Sequence, residues 1–452
     1  MTRRDAVAPR SAPDSGEALS IPLIDMVLCL SQAVDLVSGV VADHHKRVAL
    51  AAASFARGLG LPPDDRLDVL AAAAVHDIGA LSLAERIAAL DFEMHRPHEH
   101  GATGWLLLRD FAPFAKASEL VRFHHVPWDR GRGLEFQGRP VPLGSHVLHL
   151  ADRVDVLAAG QEDILAAAPD IVRRVRAEAP DRFMPDLVEV FCEEAVKESF
   201  WLDLASPSID RCLAEAGRAM EVRLGPAELL ELATLFGRVV DFRSRFTAVH
   251  SSCVAACGGA LAGFCGFPED RRILLHVAGS LHDLGKLAVP AEILNSAKPL
   301  STAQWNVIRR HAYHTRAVLE RIEGLSEAAD WASQHHERLD GKGYPFHLAG
   351  RELSLGSRIV AVADVFSAVK EDRSYRRGMP DEAALRTLER EAARGLLDGE
   401  VVAVLRERHP DVDDALRGAR QRALGKFEAF SQDLAGNDGA GTAPEQGENH
   451  GQ

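Results

Sequence analysis

Along most of the chain, apolar residues recur at intervals of three and four, Ala, Leu, Val, Glu and Arg dominate, and runs of β-branched residues bounded by turns are scarce. That pattern predicts an all-α protein. It breaks at Leu61-Pro62-Pro63, Ala179-Pro180-Asp181 and Leu224-Gly225-Pro226, where Pro and Gly stop one helix and open the next. The last break is the expected boundary between two helical domains, residues 19–224 and 225–432. Residues 1–18 and 433–452 are polar and are expected to be disordered tails. Residues 19–42 are strongly apolar, but Asp25, Gln32 and Asp35 interrupt them, which fits an amphipathic packing helix better than a transmembrane span. No cationic, small-residue-terminated leader precedes that stretch.

Polar residues repeat as well. His44 is followed 76 − 44 = 32 residues later by His76-Asp77-Ile78-Gly79, and His250 is followed 282 − 250 = 32 residues later by His282-Asp283-Leu284-Gly285. His100 precedes the pair His124-His125 by 124 − 100 = 24 residues, and His311 precedes His335-His336 by 335 − 311 = 24. Gly138 through Asp152 then matches Gly350 through Asp364 without a gap. The chain is an internal duplication. Ten of the twenty histidines fall at corresponding places. Seven imidazoles and carboxylates kept in order make a poor apolar core, because each would need a buried partner. His146, His149, His276, His314 and His347 have no histidine counterpart in the other copy and read as ordinary surface or satisfied core histidines.

Composition narrows the setting. Apolar residues make up 46% and charged residues 26%, ordinary for a globular protein. A net charge of −14 argues against a protein that holds polymeric nucleic acid through its phosphates. Six cysteines show no C-x-x-C spacing; Cys253 and Cys257, four apart in a helical stretch, read as buried small hydrophobes. A reducing, cytoplasmic location is expected.

The imidazole and carboxylate mix suits Fe, Mn or Zn, and adjacent His282-Asp283 can place two ligands at one helix end near a metal pair. His250, His282-Asp283-Leu-Gly-Lys286, His311, His335-His336-Glu-Arg-Leu-Asp340-Gly-Lys-Gly-Tyr344-Pro345 and Ala363-Asp364 together resemble the HD-GYP family of metal-dependent phosphohydrolases, over roughly residues 228–430. The resemblance implies tandem HD-type helical domains and two divalent transition metals, Fe or Mn foremost, in the second. One metal would be held by His250, His282, Asp283 and Asp364. The other would be held by His311, His335 and His336, with Asp283 bridging. Two cations about 3.5–4 Å apart can share a hydroxide that attacks phosphorus in line. Lys286 would face a non-bridging phosphate oxygen, and Tyr344 would border the ligand. Arg373 and Arg376, in a segment similar to the family's Arg-Pro-Tyr-Arg with Ser374 replacing proline, look like phosphate or guanine contacts. Phe246 stands where some relatives have a glutamate for a third metal, so two metals are expected. Ser367 stands where an acidic residue is common.

The family implies a phosphodiesterase that opens a cyclic dinucleotide, cyclic di-GMP first. A non-catalytic cyclic-dinucleotide receptor and an HD hydrolase of another nucleotide stay open as alternatives, as do a homodimer or a signalling-protein partner. In the first copy His44, His76, Asp77, His100, His124, His125 and Asp152 keep the full ligand set, with His45 and His98 as competitors for the places of His44 and His100 that the repeat spacing disfavours, so further metal there is an open expectation. Ala80 replaces the lysine, residues Trp128 to Gly133 lack Tyr-Pro, and Gln161 stands where an arginine would. A regulatory module is favoured there over a second hydrolase or an inert scaffold.

Overall fold

The computed structural model describes residues 19–36, 42–80, 85, 88, 98–218, 222–242, 249–296, 298–372 and 377–440. They form an all-α protein. The first half holds α1 (Leu23–Asp35), α2 (His44–Gly58), α3 (Pro63–Ala74), α4 (His98–Leu108), α5 (Ala115–Arg122), α6 (Leu143–Ala158), α7 (Ile164–Ala177), α8 (Pro185–Ala195), α9 (Glu198–Leu204) and α10 (Ile209–Arg218). The second holds α11 (Pro226–Phe242), α12 (His250–Phe264), α13 (Glu269–Leu281), α14 (Ala291–Leu294), α15 (Thr302–Leu319), α16 (Ser326–Ser333), α17 (Leu355–Lys370), α18 (Asp381–Ala393), α19 (Gly399–Glu407) and α20 (His409–Ala440). The repeat seen in sequence is a repeat of structure: α2, α3, α4, α5 and α6 correspond to α12, α13, α15, α16 and α17.

Among the described residues the strands are two short antiparallel pairs. Glu135–Phe136 and Arg139–Pro140 make a hairpin whose two turn residues, Gln137 and Gly138, have φ of 51° and 73°, the left-handed pair that a tight hairpin demands. Ile21–Pro22 pairs with Arg223–Leu224, with Ile21 opposite Leu224. Each of those strands leads into the first helix of its half, so α1 and α11 start from one ribbon.

α1 is apolar on nearly all sides and is buried accordingly, with Met26, Leu30 and Ala33 fully enclosed. It packs on α2, α3 and α10 of its own half, and on α15 and the 3-10 turn Leu284–Ala288 of the other. The two halves therefore share one continuous apolar core. No helix among the described residues is long and apolar enough to cross a membrane. One expectation is corrected: α20 continues to Ala440, into the stretch read as a tail from residue 433. Asp433 pairs with Arg109 at the end of α4, an anchor that local polarity does not reveal. The other tail residues, 1–18 and 441–452, lie outside the described residues.

Candidate metal centres

In the second copy the site is built on a helix end. α13 stops at Leu281, and His282 and Asp283 lead into the turn Leu284–Ala288. Gly285 makes this possible: a Cβ there would lie 2.0 Å from the carbonyl oxygen of His311, so only glycine lets the turn press against α15. Gly79 repeats the device, its Cβ falling 2.0 Å from the carbonyl oxygen of His100. Thr315 locks the contact, accepting from the Gly285 N–H and donating to the His282 carbonyl, each at 3.0 Å.

Asp283 then stands between two groups of imidazoles. Its Oδ2 lies 3.2 Å from His282 Nε2 and 2.5 Å from Lys286 Nζ, while its Oδ1 lies 3.4 Å from His311 Nε2 and 3.9 Å from His335 Nε2. His250 Nε2 is 3.1 Å from Asp364. His250, His282 and Asp283 form one cluster with metal-ligand spacing, and His311, His335 and His336 form the other. All seven expected ligands are thus brought together.

The fit to metal rests on where the nitrogens point. Nδ1 of His282, His311 and His335 donates to the carbonyls of Gly279, Ile308 and Ala332, and Nδ1 of His250 donates to Glu371 at 2.9 Å. This fixes the rings and turns their Nε2 atoms to the centre, the arrangement that metal-bound histidines use; at His250 burial is outweighed by Glu371 and Asp364, which raise its pKa, so this ring gives up a proton when it takes a metal. Asp283 Oδ1 is buried and lacks a hydrogen-bond partner, as expected of an atom that serves a cation. Burial, helped by His336 and Lys286, pushes His311 down to about 3 against the pull of Asp283. Burial takes His336 down to about 4 against the pull of Asp364 and Asp283, so both rings are neutral and able to donate a lone pair. Burial opposes ionisation of Asp283, but His282 and Lys286 outweigh it and hold its pKa well below the carboxylate range.

Sequence reasoning missed Glu371. It is buried, and it holds His250 where Asp155, three residues after Asp152, holds His44 Nδ1 at 2.8 Å in the first copy. Ser367 occupies the position three after Asp364, and the carboxylate has moved one helical turn on, to the seventh residue, which keeps it on the same face. That spacing was the available signal.

The loop after His336 is positioned by Glu337, another residue left without a role. Its buried carboxylate accepts from the backbone N–H of Phe346, His347 and Leu348 at 2.6, 3.1 and 3.2 Å. Gly343 passes so close that a Cβ would lie 2.4 Å from Glu337 Cα. Tyr344 is thereby set against His336, ring centroids 4.7 Å apart, and Arg309 of α15 lies 4.9 Å over its ring. Tyr344, Arg309 and Lys286 line the rim of the second cluster; Arg309 was not anticipated. Arg373, Ser374, Arg376 and Phe246 lie outside the described residues.

The first copy assembles its ligand set in the same way. Asp77 turns Oδ2 toward His44 and His76, at 3.9 and 3.6 Å, and Oδ1 toward His100 and His124, at 3.1 and 3.7 Å. Asp152 lies 3.6 Å from His44 and 3.9 Å from His125. Nε2 of His44 and His76, Oδ1 of Asp77 and Oδ1 of Asp152 are buried without hydrogen-bond partners. The surroundings differ. Ala80 supplies no ammonium, and the buried guanidinium of Arg153 sits on Asp152 Oδ2 at 2.7 Å. Backbone N–H groups of Trp128, Asp129 and Arg130 are tied to the carbonyls of Arg182, Asp181 and Pro180, where the second copy has its Tyr344 loop.

Comparison with known proteins agrees with the duplication. The HD domain family matches residues 41–157 and, separately, residues 238–401. The chain is 30% identical to a 3′3′-cGAMP-specific phosphodiesterase 1 of Vibrio cholerae, over 85% of this chain and 91% of that one. It is 31% identical to a cyclic di-GMP phosphodiesterase of Thermotoga maritima, over 42% of this chain and 52% of the relative. The crystal structure of a cyclic GMP-AMP specific phosphodiesterase of V. cholerae (V-cGAP3) shares the fold, with a TM-score of 0.59 and 23% identity over 88% of this chain and 98% of that one. The chain belongs to the HD-GYP family of HD-domain metal-dependent phosphohydrolases, as a divergent first HD module followed by a second that carries the Gly-Tyr-Pro loop.

Proposed function

We propose that the second module, residues 225–432, is a metal-dependent phosphodiesterase that uses water to open a 3′,5′ phosphodiester of a cyclic dinucleotide. The observation that carries this reading is Asp283: one buried carboxylate whose two oxygens serve two separate imidazole clusters, His250 with His282 and His311 with His335. His250, His282, Asp283 and Asp364 would hold one divalent ion, and Asp283, His311, His335 and His336 a second, Fe or Mn foremost. Such a pair, when bound, supplies Lewis acidity that activates water and stabilises charge on the phosphoryl group.

The chain's own groups do the rest. Lys286 keeps its proton: burial works against the charge, but Asp283 and its hydrogen bond outweigh it and raise the pKa. With a quarter of its side chain exposed, its ammonium can reach a phosphate oxygen at the rim. Tyr344, its ring held between His336 and Arg309, offers a flat face and a hydroxyl to a nucleobase or ribose. Arg373 and Arg376, which follow α17 in sequence, remain candidate phosphate or guanine contacts in this reading.

Cyclic di-GMP and 3′3′-cGAMP are the substrates to compare. The V. cholerae relative aligned over nearly all its length is named for 3′3′-cGAMP, which supports testing that one first. The test is chromatography of products from each dinucleotide incubated with Fe- or Mn-loaded chain, with Asp283→Ala as control. Product from wild type alone is the expected result, with the second module's metal lost from the variant. Dinucleotide bound but intact in the loaded wild type would overturn hydrolysis in favour of a receptor. Unchanged metal content in Asp283→Ala would sink the bridging assignment.

A further inference from the structure

Next to His44 in the first module stands His45, 2% exposed, with no counterpart in the second. The equivalent residue there is Ser251, which donates from its N–H and its hydroxyl to Asp241. Asp241 corresponds to Asp35, the residue that receives Nδ1–H of His45. The carboxylate is common to both modules, and the first has replaced a hydroxyl by an imidazole. Held through Nδ1 by Asp35, His45 is left with Nε2 for an acceptor or a ligand, and that atom is buried without a partner. His149, buried in the same module, shows the opposite, with Nδ1 itself unpartnered.

Ring positions agree. His45 lies 5.3 Å from His44 and 4.9 Å from His76 by ring centroids, and His44 lies 5.1 Å from His76. Two imidazoles sharing an ion, each with nitrogen about 2.0–2.1 Å from it, set their centroids roughly 5 Å apart. His250 and His282 of the second module stand at 5.2 Å. The Nε2 atoms of His44, His45 and His76 are each buried without a hydrogen-bond partner, which leaves three neighbouring imidazoles short of an acceptor or an ion.

We infer that the first module holds a nitrogen-rich metal site in which His45 joins His44, His76, Asp77 and Asp152 as a ligand. The donor set favours a borderline divalent ion, Zn²⁺ foremost. Ala80 strengthens the case, because the ammonium that competes for the aspartate in the second module, Lys286, is missing here. This site stands apart from the hydrolysis proposed for the second module, and its test reads metal rather than turnover.

The experiment uses the full chain carrying Asp283→Ala, which silences the second site, and measures Zn²⁺ affinity by competition with a chromophoric chelator and the visible spectrum of the Co²⁺ form. Adding His45→Ser, the second module's residue, is expected to weaken Zn²⁺ binding at least tenfold and to shift the Co²⁺ bands. Adding Asp35→Asn instead, which keeps the ring but loosens its orientation, is expected to cost about tenfold. No Zn²⁺ bound by the Asp283→Ala chain, or affinity and spectrum unaltered by His45→Ser, would overturn the inference. Should His45→Ser fail to fold by near-ultraviolet circular dichroism, Asp35→Asn decides, and unaltered affinity there overturns it.

Discussion

Replacing Glu371 by alanine tests whether the second centre depends on a carboxylate that is not itself a ligand. In the folded chain Glu371 accepts from His250 Nδ1 at 2.9 Å, with both residues at least 95% buried. Removing it strands a buried N–H, at about 1–3 kcal/mol, and frees the ring to turn Nε2 away from Asp364. Loss of such an orienting partner lowers metal affinity by about 10–100-fold, or about 1.4–2.7 kcal/mol. The assay is competition for Mn²⁺ or Fe²⁺ under anaerobic conditions, with turnover read in parallel. Burial raises the prospect of a purely structural loss, so a rescue belongs in the design. Ser367→Asp places a carboxylate three residues after Asp364, the position from which Asp155 holds His44 in the first module, and Ser367 Oγ is buried without a partner. The double variant should recover most of the lost affinity. Wild-type affinity in Glu371→Ala would refute the orienting role.

Two further outcomes follow from the same geometry. Lys286→Ala should keep its metal content and lose about 100-fold in kcat, as for removal of one preorganised donor to a charged transition state; loss of metal instead would show that the ammonium only balances Asp283. Gly285→Ala should destabilise the chain by about 3 kcal/mol, seen as a lowered Tm, because its Cβ would lie 2.0 Å from the His311 carbonyl oxygen; an unchanged Tm would show that the turn can retreat from α15.

Much of the metal chemistry is legible in the order of residues along the chain. A helical period and an exact duplication of His, His-Asp, His, His-His and Asp place fourteen ligand candidates in two sets of seven, and the folded chain gathers both sets. Motif spacing succeeds here because each ligand sits at a fixed offset from a helix end, so the distance along the chain encodes the approach in space. The same logic picks out Ala80 as the residue without an ammonium.

Residues that act on the ligands from behind are harder to see. Glu371 does for His250 what Asp155 does for His44, from one turn further along the helix, so matching the two copies position by position shows a missing acid at Ser367 and no replacement. Asp35 and His45 come from different helices, α1 and α2, and nothing in the spacing joins them. Arg309 reaches Tyr344 only because Glu337 folds the loop back, through three backbone hydrogen bonds with no sequence pattern of their own. The sequence by itself determined the helical class, the duplication and the candidate ligand set, because periodicity and covalent order carry that information. Tertiary packing alone decided which carboxylates orient His44 and His250, which cation faces the rim, and that α1 packs on both halves, because those contacts join residues far apart in the chain.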